Sequence, residues 1–483
     1  MYRAYSNKEA WEADRKAVTA GVKMRELMER AGEALAQKVT LAMDRLQLTE
    51  VLFVLGSGNN AGDGFVAARI LTEQPRLVKV LCLTEKLSPE SALVKIRYKG
   101  EIFTRIPKKK FPLIVDCVFG TGLKRPPEGE YAKLISWINA QGSYVISCDL
   151  PSGLAENGIA FSPCVYADET VSIGCMKNSL LLNEGADHAG KITVTNIGVD
   201  YGKKGGVEVW EDCDVGVFFP KKHSNVNKGM FGKSCIVTSG ARMGAAMLAA
   251  SASLRSGAGY TTLRVPERLC VSAATALPSC IVEDFNALDD GMLASDALAI
   301  GMGSGVSTGL YSIITQLLNG YRGTLILDAD ALTVLAEFGL KPLERKSCEV
   351  ILTPHPKEFA RLSNQSVKEV LENAVPIAQK FASQYGVTLI FKNNRTIITN
   401  GVRTAINNTG SPALAKGGSG DILTGFLVGT CARGLSPFDA ACVSCYVFGR
   451  AGEFAEEEFG QYAPTASDVI EFLPRAIRSV TEI

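Results

Sequence analysis

Short apolar runs rich in β-branched residues alternate with longer segments of helical periodicity along most of the chain. Before residue 200, a helical pattern covers residues 7–44, and strand-like runs lie at residues 51–55, 78–83, 113–118, 144–147 and 170–173. Strands that alternate with helices in this way are typical of a parallel sheet with helices on both faces. We therefore predict a three-layer α/β fold for this part of the chain.

The alternation lapses after residue 199 and resumes near residue 234. The intervening residues 201–228 combine a Gly-Gly pair, a short Val-Glu-Val-Trp strand and a Pro-Lys-Lys turn. Beyond them we predict a helix at residues 244–256 and strands at residues 234–237, 260–265, 297–300, 324–327, 350–352 and 389–391. A boundary near residue 215 gives two α/β domains, residues 1–215 and 216–483.

Length and charge limit the possible classes of function. A chain of 483 residues exceeds one ordinary domain of about 150 residues, which agrees with two large domains. The net charge of +1 gives no polyanion-binding field, so nucleic acid is not an expected partner. No apolar run reaches membrane-spanning length, and residues 1–18 carry charges without an apolar segment. This pattern predicts a soluble, cytoplasmic protein that does not bind a membrane.

Cysteine and histidine patterns do not indicate a zinc site. Among the 13 cysteines, Cys442 and Cys445 form a Cys-x-x-Cys motif inside a predicted helix, without a second pair. We expect buried free thiols there. The three histidines, His188, His223 and His355, are far apart and lack metal-ligand spacing, which argues against zinc catalysis.

The most informative segment, residues 407–425, reads Asn-Asn-Thr-Gly-Ser-Pro-Ala-Leu-Ala-Lys-Gly-Gly-Ser-Gly-Asp-Ile-Leu-Thr-Gly. Glycines at 417, 418 and 420 allow several backbone N–H groups to point toward one place, which the positive end of the following helix also faces. A phosphate group fits there. Asp421 also fits a plain N-cap. Because a cap does not require three glycines, we favour a phosphoryl-transfer site in which Asp421 is the base.

The strand at residues 51–55 leads into a second glycine-rich segment, Gly-Ser-Gly-Asn-Asn-Ala-Gly-Asp-Gly, and then into a predicted helix at residues 65–72. As a G-x-G-x-x-A turn it could be a dinucleotide fingerprint, with Glu85 as the ribose ligand. Three polar side chains, Asn59, Asn60 and Asp63, argue against this interpretation, because a fingerprint turn is packed with small residues.

Two further carboxylates, Asp116 and Asp149, also follow predicted strands. Each alone could cap a turn. Since the carboxyl ends of parallel strands share one crevice, the three loops together indicate a pocket. Oxygen ligands such as Asn60, Asp116 and Ser152 suit a hard cation rather than a transition metal.

These motifs, Asn-Asn-Ala-Gly-Asp-Gly, Asp-Cys-Val-Phe-Gly-Thr-Gly-Leu and Asp-Leu-Pro-Ser-Gly, together with Leu-Met-Glu-Arg-Ala-Gly at 27–32, resemble the NAD(P)H-hydrate epimerase domain over most of residues 1–215. The resemblance implies a Rossmann-like fold, epimerisation of the hydrated nicotinamide ring with Asp149 as acid/base, and a potassium ion near Asn60, Asp116 and Ser152. The implied substrate-binding residues are Asn59, Asn60, Ala61, Gly62, Asp63, Gly120, Thr121, Gly122, Leu123, Lys124, Arg125 and Asp149. Ala61 departs from the usual glycine, and its methyl group requires a negative φ.

The second half resembles the ADP-dependent NAD(P)H-hydrate dehydratase, which has a ribokinase-like fold. The resemblance rests on Lys-Gly-Met-Phe-Gly at 228–232, residues 250–259, Leu-Asp-Ala-Asp-Ala-Leu at 327–332, Leu-Thr-Pro-His-Pro-Lys-Glu-Phe at 352–359 and the segment at 407–425. Small departures are Met302, where proline is common, and Ser411, where asparagine is usual.

The second resemblance implies two sets of binding residues. The nucleotide is held by Lys392, Asn393, Asn394, Arg395, Thr396, Ser411, Lys416, Gly417, Gly418, Ser419 and Gly420. Gly303, His355 and Asp421 face the hydrated nicotinamide. His355 could instead be a structural histidine at a strand end, although its flanking prolines favour a positioned group.

Together the resemblances imply a bifunctional repair enzyme, an isomerase and lyase that acts on R and S hydrates of NADH and NADPH. Phosphoryl transfer from ADP, with magnesium, makes the ring hydroxyl a good leaving group and yields NAD(P)H, AMP and phosphate. We expect a homo-oligomer. The alternatives are a ribokinase-type small-molecule kinase fused to a non-catalytic binding domain, and a first domain that is only an interaction scaffold.

Overall fold

A computed structural model describes residues 1–202, 205–240 and 242–482 of the chain. Its contacts divide the chain into one unit at Arg3–Val207 and a second unit that comprises Met1–Tyr2 and the residues from Glu208 onward. No helix in the described part of the chain combines the length and the apolar character needed to cross a membrane. The boundary of the functional domains near residue 215 stays a prediction.

A parallel sheet forms the centre of the first unit. The strands in this part of the chain are, in order, β1 (Tyr2–Tyr5), β2 (Glu50–Leu55), β3 (Leu77–Cys82), β4 (Glu101–Phe103), β5 (Leu113–Cys117), β6 (Tyr144–Cys148), β7 (Glu169–Ile173), β8 (Met176–Lys177) and β9 (Lys191–Thr195). The sheet order is β4-β3-β2-β5-β6-β7-β9, and β8 pairs in parallel with β1. The carboxyl ends of β2, β5 and β6 are therefore neighbours, as the predicted pocket requires.

Helices cover both faces of this sheet, which confirms the predicted α/β layers. They are α1 (Asn7–Thr19), α2 (Met24–Arg45), α3 (Asn59–Thr72), α4 (Pro89–Lys95), α5 (Gly129–Asn139) and α6 (Gly185–Ala189). Strand β2 shows how the two faces are filled: Phe53 packs with Phe65 in one apolar cluster, whereas Leu52 packs with Ile138 in another. Such alternation along a fully apolar strand is what a sheet buried on both faces requires.

Two helix predictions in the first unit are wrong. The single helix predicted for residues 7–44 is two helices, because Gly21 adopts a φ of 107° that ends α1 and redirects the chain. The helix predicted to begin after the glycine-rich segment begins at Asn59, so the polar motif lies in the first turns of α3 rather than in a loop.

The second unit also has a mainly parallel sheet. Its strands are β10 (Val207–Val209), β11 (Lys233–Val237), β12 (Tyr260–Val265), β13 (Ile281–Asp284), β14 (Ala297–Ile300), β15 (Thr324–Leu327), β16 (Glu349–Leu352), β17 (Thr388–Phe391), β18 (Ile397–Thr399) and β19 (Thr404–Ile406). The order is β13-β12-β11-β14-β15-β16-β17-β18-β19-β10, and β18 runs antiparallel to both of its neighbours.

The helices of the second unit are α7 (Asp212–Gly216), α8 (Met243–Arg255), α9 (Glu267–Ala276), α10 (Asp290–Leu293), α11 (Thr308–Gly320), α12 (Asp330–Phe338), α13 (Pro356–Ser363), α14 (Val367–Glu372), α15 (Ala374–Tyr385), α16 (Ser419–Ala432), α17 (Pro437–Phe459) and α18 (Ala466–Thr481). Short 3-10 turns occur at Asn178–Leu180, Lys228–Phe231, Lys341–Arg345 and Pro412–Leu414. Helix α17 buries Cys442 and Cys445 as free thiols, as predicted.

Helix α16 is the most deeply buried helix around the candidate site of this unit, because every residue from 422 to 432 is buried. Its Gly425 lies so close to α8 that an added Cβ would be 2.0 Å from the Ala249 carbonyl oxygen. The first turn of α16 is thereby fixed in position, and this turn carries Asp421.

Two candidate active sites

A cavity of about 780 Å³ opens at the carboxyl ends of the strands in the first unit. Its lining includes the predicted substrate-binding residues Asn59, Asn60, Asp63, Gly120, Thr121, Gly122, Leu123, Lys124, Arg125 and Asp149. Ala61 and Gly62 are buried in the same turn of α3. Ala61 is helical, which satisfies the requirement for a negative φ, and a Cβ on Gly62 would lie 2.4 Å from Met28 Sδ, so the Met28 side chain would have to move.

Asp149 follows β6 directly and has a φ of 68°, in the left-handed region that non-glycine residues seldom adopt. Its backbone N–H donates to the Val171 carbonyl oxygen at 2.8 Å, which ties this backbone conformation to the neighbouring strand. The side chain faces the cavity. Backbone strain of this kind costs about 1–3 kcal/mol and tends to occur where a side chain must be aimed at a functional site.

Lys177, which sequence analysis did not identify, forms an ion pair with Asp149. Its Nζ is 2.5 Å from Asp149 Oδ1 and also donates to the Ile173 carbonyl oxygen. The lysine is only 3 % exposed. Burial is the largest single effect and lowers the pKa of Lys177, but the surrounding negative charges, first among them Asp149, together with the hydrogen bond to Asp149 raise this pKa overall. The signal that could have revealed Lys177 is that it is a lone charge inside the apolar segment 170–183.

Asp63 is a second carboxyl group in the cavity, in the first turns of α3. Burial raises its pKa well above the usual range, and the nearby charge of Asp149 raises it further. Asp14 on α1 also lines the cavity and accepts a hydrogen bond from the Tyr201 hydroxyl at 3.0 Å. The cavity therefore combines a lysine-paired carboxylate with a carboxyl group whose surroundings favour the protonated form.

Asp116 lies within β5 rather than after a strand as predicted; it is fully buried, and its carboxylate accepts four hydrogen bonds. The donors are Ser152 Oγ at 2.6 Å, Ser152 N at 2.8 Å, Ser147 Oγ at 2.9 Å and Val118 N at 3.2 Å. Two of the three predicted potassium ligands, Asp116 and Ser152, are thus in direct contact. Burial raises the pKa of Asp116, whereas these hydrogen bonds lower it.

Asn60, the third predicted potassium ligand, has one of its two side-chain polar atoms, Oδ1, unpaired in the part of the chain that the structure describes. Its Nδ2 donates to the carbonyl oxygens of Phe119 and Cys148, at 3.1 and 3.2 Å. Its Oδ1 is buried and has no hydrogen-bond partner among the described residues. An unsatisfied buried oxygen in oxygen-rich surroundings fits a hard cation.

In the second unit, the glycine-rich segment ends in the N-terminus of α16. Gly418, with a φ of 96°, occupies the N-cap position, and no side chain in the described part of the chain caps the helix. The first-turn N–H groups of a helix lack intrahelical partners and attract an anion. The capping interpretation of Asp421 is therefore wrong, because Asp421 is the third helical residue and Gly418 holds the cap position.

Asp421 is partly buried at this helix start. Burial raises its pKa to about 6, and the charge of Asp328 acts in the same direction, whereas Lys392 lowers it. A carboxylate with a pKa near the working pH is well matched to accept a proton.

Asp328 and Lys392 form a second ion pair, next to Asp421. Lys392 Nζ is 2.9 Å from Asp328 Oδ1, and this buried carboxylate also accepts hydrogen bonds from Thr353 Oγ1 at 2.7 Å and Thr424 Oγ1 at 2.9 Å. The lysine reaches the helix start, since a Cβ on Gly420 would lie 3.4 Å from its Nζ. The sequence motifs assigned Asp328 no role, although Asp328 directly follows an apolar strand, as Asp149 does.

The other predicted nucleotide-binding residues lie in two loops. Asn393, Asn394, Arg395 and Thr396 form the turn between β17 and β18, and Arg395 donates to the Asn408 carbonyl oxygen at 2.9 Å. Ser411 Oγ accepts from Ala413 N at 3.0 Å. Lys416 Nζ donates to the carbonyl oxygens of Tyr462 and Pro464. Lys416 thus holds the segment after α17 against the glycine-rich loop.

His355 is the N-cap of α13: its Nδ1 accepts hydrogen bonds from Lys357 N at 3.1 Å and Glu358 N at 3.3 Å. Burial lowers its pKa and so does the charge of Lys392, which favours the neutral ring. The structural interpretation of His355 therefore holds for Nδ1, whereas Nε2 is the ring nitrogen that the cap does not use and lies 3.4 Å from Glu358 Oε1. Gly303 has a φ of 63°, and a Cβ there would lie 2.3 Å from the Arg242 carbonyl oxygen.

Comparisons with known protein families agree with this division. The family model of NAD(P)H-hydrate dehydratase matches residues 235–475, and that of the YjeF-related protein N-terminus matches residues 24–179. A ribokinase-like superfamily protein from Enterococcus faecalis shares the fold of the second unit, with 22% identity and a TM-score of 0.50 over 57% of this chain and 97% of that one.

Similarity in sequence is closer for several named proteins. The ADP/ATP-dependent NAD(P)H-hydrate dehydratase from Bacillus subtilis, co-crystallised with ATP/Mg2+, is 27% identical with a TM-score of 0.51 over 57% of this chain and 99% of that one. The bifunctional NAD(P)H-hydrate repair enzyme Nnr of Escherichia coli is 29% identical over 95% of this chain and 90% of its own length. That of Thermofilum pendens is 32% identical over 96% of this chain and 93% of its own length. With both units matched over nearly their whole length, the chain belongs to the family of bifunctional NAD(P)H-hydrate repair enzymes.

Proposed function

We propose that the protein repairs hydrated NADH and NADPH in two reactions. The first unit epimerises the R and S hydrates, and the second unit dehydrates the S epimer at the expense of ADP, releasing NAD(P)H, AMP and phosphate. The observation that carries this proposal is that each unit holds its own carboxylate at its own binding site. Asp149 faces a cavity of about 780 Å³, and Asp421 lies at an uncapped helix N-terminus.

Epimerisation requires a bond at the hydroxyl-bearing ring carbon to break and to re-form on the other face, with one proton supplied and one removed. Asp149 and Asp63 line the same cavity and differ in their surroundings, which supports opposite roles. Asp149 is paired with an ammonium group and acts as the base. Asp63, whose pKa is raised by burial, supplies the proton.

The remaining residues of the cavity bind the substrate. Lys124 and Arg125 lie on its rim with the residues 120–123. Their positive charges suit the phosphate groups of a dinucleotide. Potassium, held by Asn60, Asp116 and Ser152, supplies a fixed positive charge when bound. Asp116 accepts two hydrogen bonds from Ser152, and these bonds fix the oxygen ligands of the two residues relative to each other.

Dehydration begins with binding of the nucleotide at the start of α16, and magnesium, when bound with it, would neutralise part of the phosphate charge. The first-turn N–H groups and Lys392 bind the transferring phosphoryl group, and residues 392–396 hold the rest of the nucleotide. Asp421 removes the proton of the ring hydroxyl as its oxygen attacks the phosphorus atom, and AMP leaves. The ring nitrogen then expels phosphate, a far better leaving group than hydroxide, and loss of a ring proton restores NAD(P)H.

The kinase alternative shares the anion site and Asp421, but it assigns no role to the cavity of the first unit. A scaffold without chemistry would not need a strained Asp149 paired with a buried lysine. Thirteen free cysteines support a reducing, cytoplasmic location: eleven are buried, Cys270 is partly buried and Cys213 is exposed.

The test uses a mixture of R and S NADH hydrates and follows NADH absorbance. With ADP present, the protein should convert the whole mixture to NADH. Without a nucleotide it should form no NADH, yet chromatography should show that an isolated epimer equilibrates faster than in buffer. Phosphorylation of an unrelated sugar or vitamin alcohol, without NADH formation, would favour the kinase alternative.

A further inference from the structure

Lys177 is a buried ammonium group that the assignments of acid, base and binding residues leave without a role. It is held from two sides: the β1–β8 register pairs it with Tyr5, and its Nζ donates to the Ile173 carbonyl oxygen. Its side chain is 4 % exposed, and that of Asp149 is 14 % exposed. Both residues line the cavity.

A buried ion pair is weak evidence for a stabilising role, because desolvation of the two charges offsets much of their attraction. The surroundings of Lys177 point to a different task. The titratable groups around it are Asp149 after β6, Asp63 on α3, Asp14 on α1, Tyr201 and Cys175. Three carboxyl groups thus share one cavity with this ammonium group, and the short Lys177 contact is made to Asp149.

We propose that Lys177 is a positioning residue of the epimerase site: its ammonium group fixes the carboxylate of Asp149 in the orientation in which Asp149 reacts with the hydrated ring. The inference rests on the proposed epimerase function. Lys177 itself transfers no proton. It acts by binding Oδ1 of Asp149, which leaves Oδ2 on the side of Gly120, where an added Cβ would lie 3.1 Å from it.

Two features make the geometry specific. Asp149 has the strained φ of 68°, so its carboxylate needs a partner to stay aimed into the cavity. Lys177 in turn cannot move with the substrate, because β8 is paired with β1 and the ammonium group is bound to a backbone carbonyl. Through the ion pair with Lys177, the paired strands β1 and β8 therefore restrict the movement of the reacting carboxylate.

The test compares Lys177→Met, Lys177→Gln and Lys177→Arg with Lys133→Met, a control at a lysine whose side chain is 72% exposed in the same unit. Epimerisation is measured on isolated hydrate epimers in full-length protein. We expect kcat to fall by about 100-fold or more in both neutral variants, with KM within about threefold of wild type. Lys177→Arg should keep kcat within about tenfold, and Lys133→Met should match wild type.

Dehydration of the S epimer and the thermal unfolding curve serve as folding controls. Wild-type kcat in a neutral variant, a loss confined to KM, or Lys177→Arg no better than Lys177→Met would overturn the proposal. Loss of folding in both neutral variants would also overturn it, because the ammonium group would then be a folding element. A wild-type protein that fails to interconvert the epimers would instead refute the proposed function itself.

Discussion

Asp421 shows how one residue acquires a chemical role from its position. The same side chain at the N-cap would only have satisfied backbone N–H groups. At the third position of α16 it stands beside those groups, with its pKa raised to about 6 by burial and by Asp328. In the proposed mechanism, one turn of helix therefore both binds the phosphate and carries the carboxylate that activates the hydroxyl group accepting it.

Replacement of this carboxylate gives the first prediction. Asp421→Asn should lower the rate of dehydration by about two to four orders of magnitude, because the general base is lost. Epimer interconversion should be unchanged, since Asp149 lies in the other unit. The rate of NADH formation from the S epimer is the measurement, and Asp290→Asn, an exposed position in the same unit, is the control. Near wild-type dehydration would remove Asp421 from the mechanism.

The pH dependence of dehydration follows from the same group. A base works in its ionised form, so kcat/KM should fall about tenfold per pH unit below the pKa of about 6 that burial gives Asp421. The positive charge of Lys392 lowers that pKa. Lys392→Met should therefore move the acidic limb toward higher pH, in addition to weakening nucleotide binding. A limb that stays fixed or moves toward lower pH would contradict this account.

At the same scale, the sequence reveals carboxylates more readily than their partners. Asp149 and Asp421 are recognisable because each follows a strand or a glycine run within its own motif. Lys177 and Asp328 escape notice because their roles depend on contacts with residues 28 and 64 positions away. Only the folded chain brings Lys177, at the end of β8, to Asp149, which follows β6.

Secondary-structure elements decide how accurately these groups are held. The strands that carry the sites were predicted to within one or two residues, because apolar β-branched runs between polar loops are an unambiguous pattern. Helix limits were less predictable. Helical periodicity continues across Gly21, so the pattern alone does not reveal the break, and the polar start of α3 resembles a loop.

The contact between α8 and α16 gives a prediction at this scale. Gly425→Ala adds a Cβ that would lie 2.0 Å from a backbone oxygen of α8, so α16 must shift. We expect a loss of about 1–3 kcal/mol in the free energy of unfolding of the second unit. Urea denaturation, followed by dehydratase activity, measures it.

Gly320→Ala is the matched control, because no atom of the described residues would lie within 4 Å of a Cβ at this position, the end of α11. This variant should stay within about 0.5 kcal/mol of wild type. Equal stability of the two alanine variants would mean that the α8–α16 contact can relax without cost, contrary to the close packing described above.

On the scale of the whole molecule, the two units carry separate sites with different ligands. Nucleotide binding to the folded second unit should therefore raise its thermal stability, by about 2.7 kcal/mol at an ADP concentration 100 times the dissociation constant. Differential scanning calorimetry with ADP measures the gain. Adenosine, which lacks phosphate, should give little of this gain in stability, because in the proposed mechanism the phosphate groups bind at the start of α16. An equal shift with adenosine would place the binding energy elsewhere.

Two separate sites also explain why one chain combines two activities. A dehydratase that accepts one epimer leaves the other unrepaired, and the epimerase returns that epimer to the usable form. The central claim is thus that Asp149 in the first unit controls how much of a hydrate mixture the second unit can repair.

The most direct test is the progress curve of NADH formation from a mixture of both epimers with ADP, for wild type and Asp149→Ala. The wild-type protein should convert the mixture to completion. The variant should convert the S epimer at the normal rate and then slow to the rate of spontaneous epimer interconversion, because only proton transfer in the first unit is lost. A variant that ran to completion in one fast phase, free of other epimerase, would contradict the account.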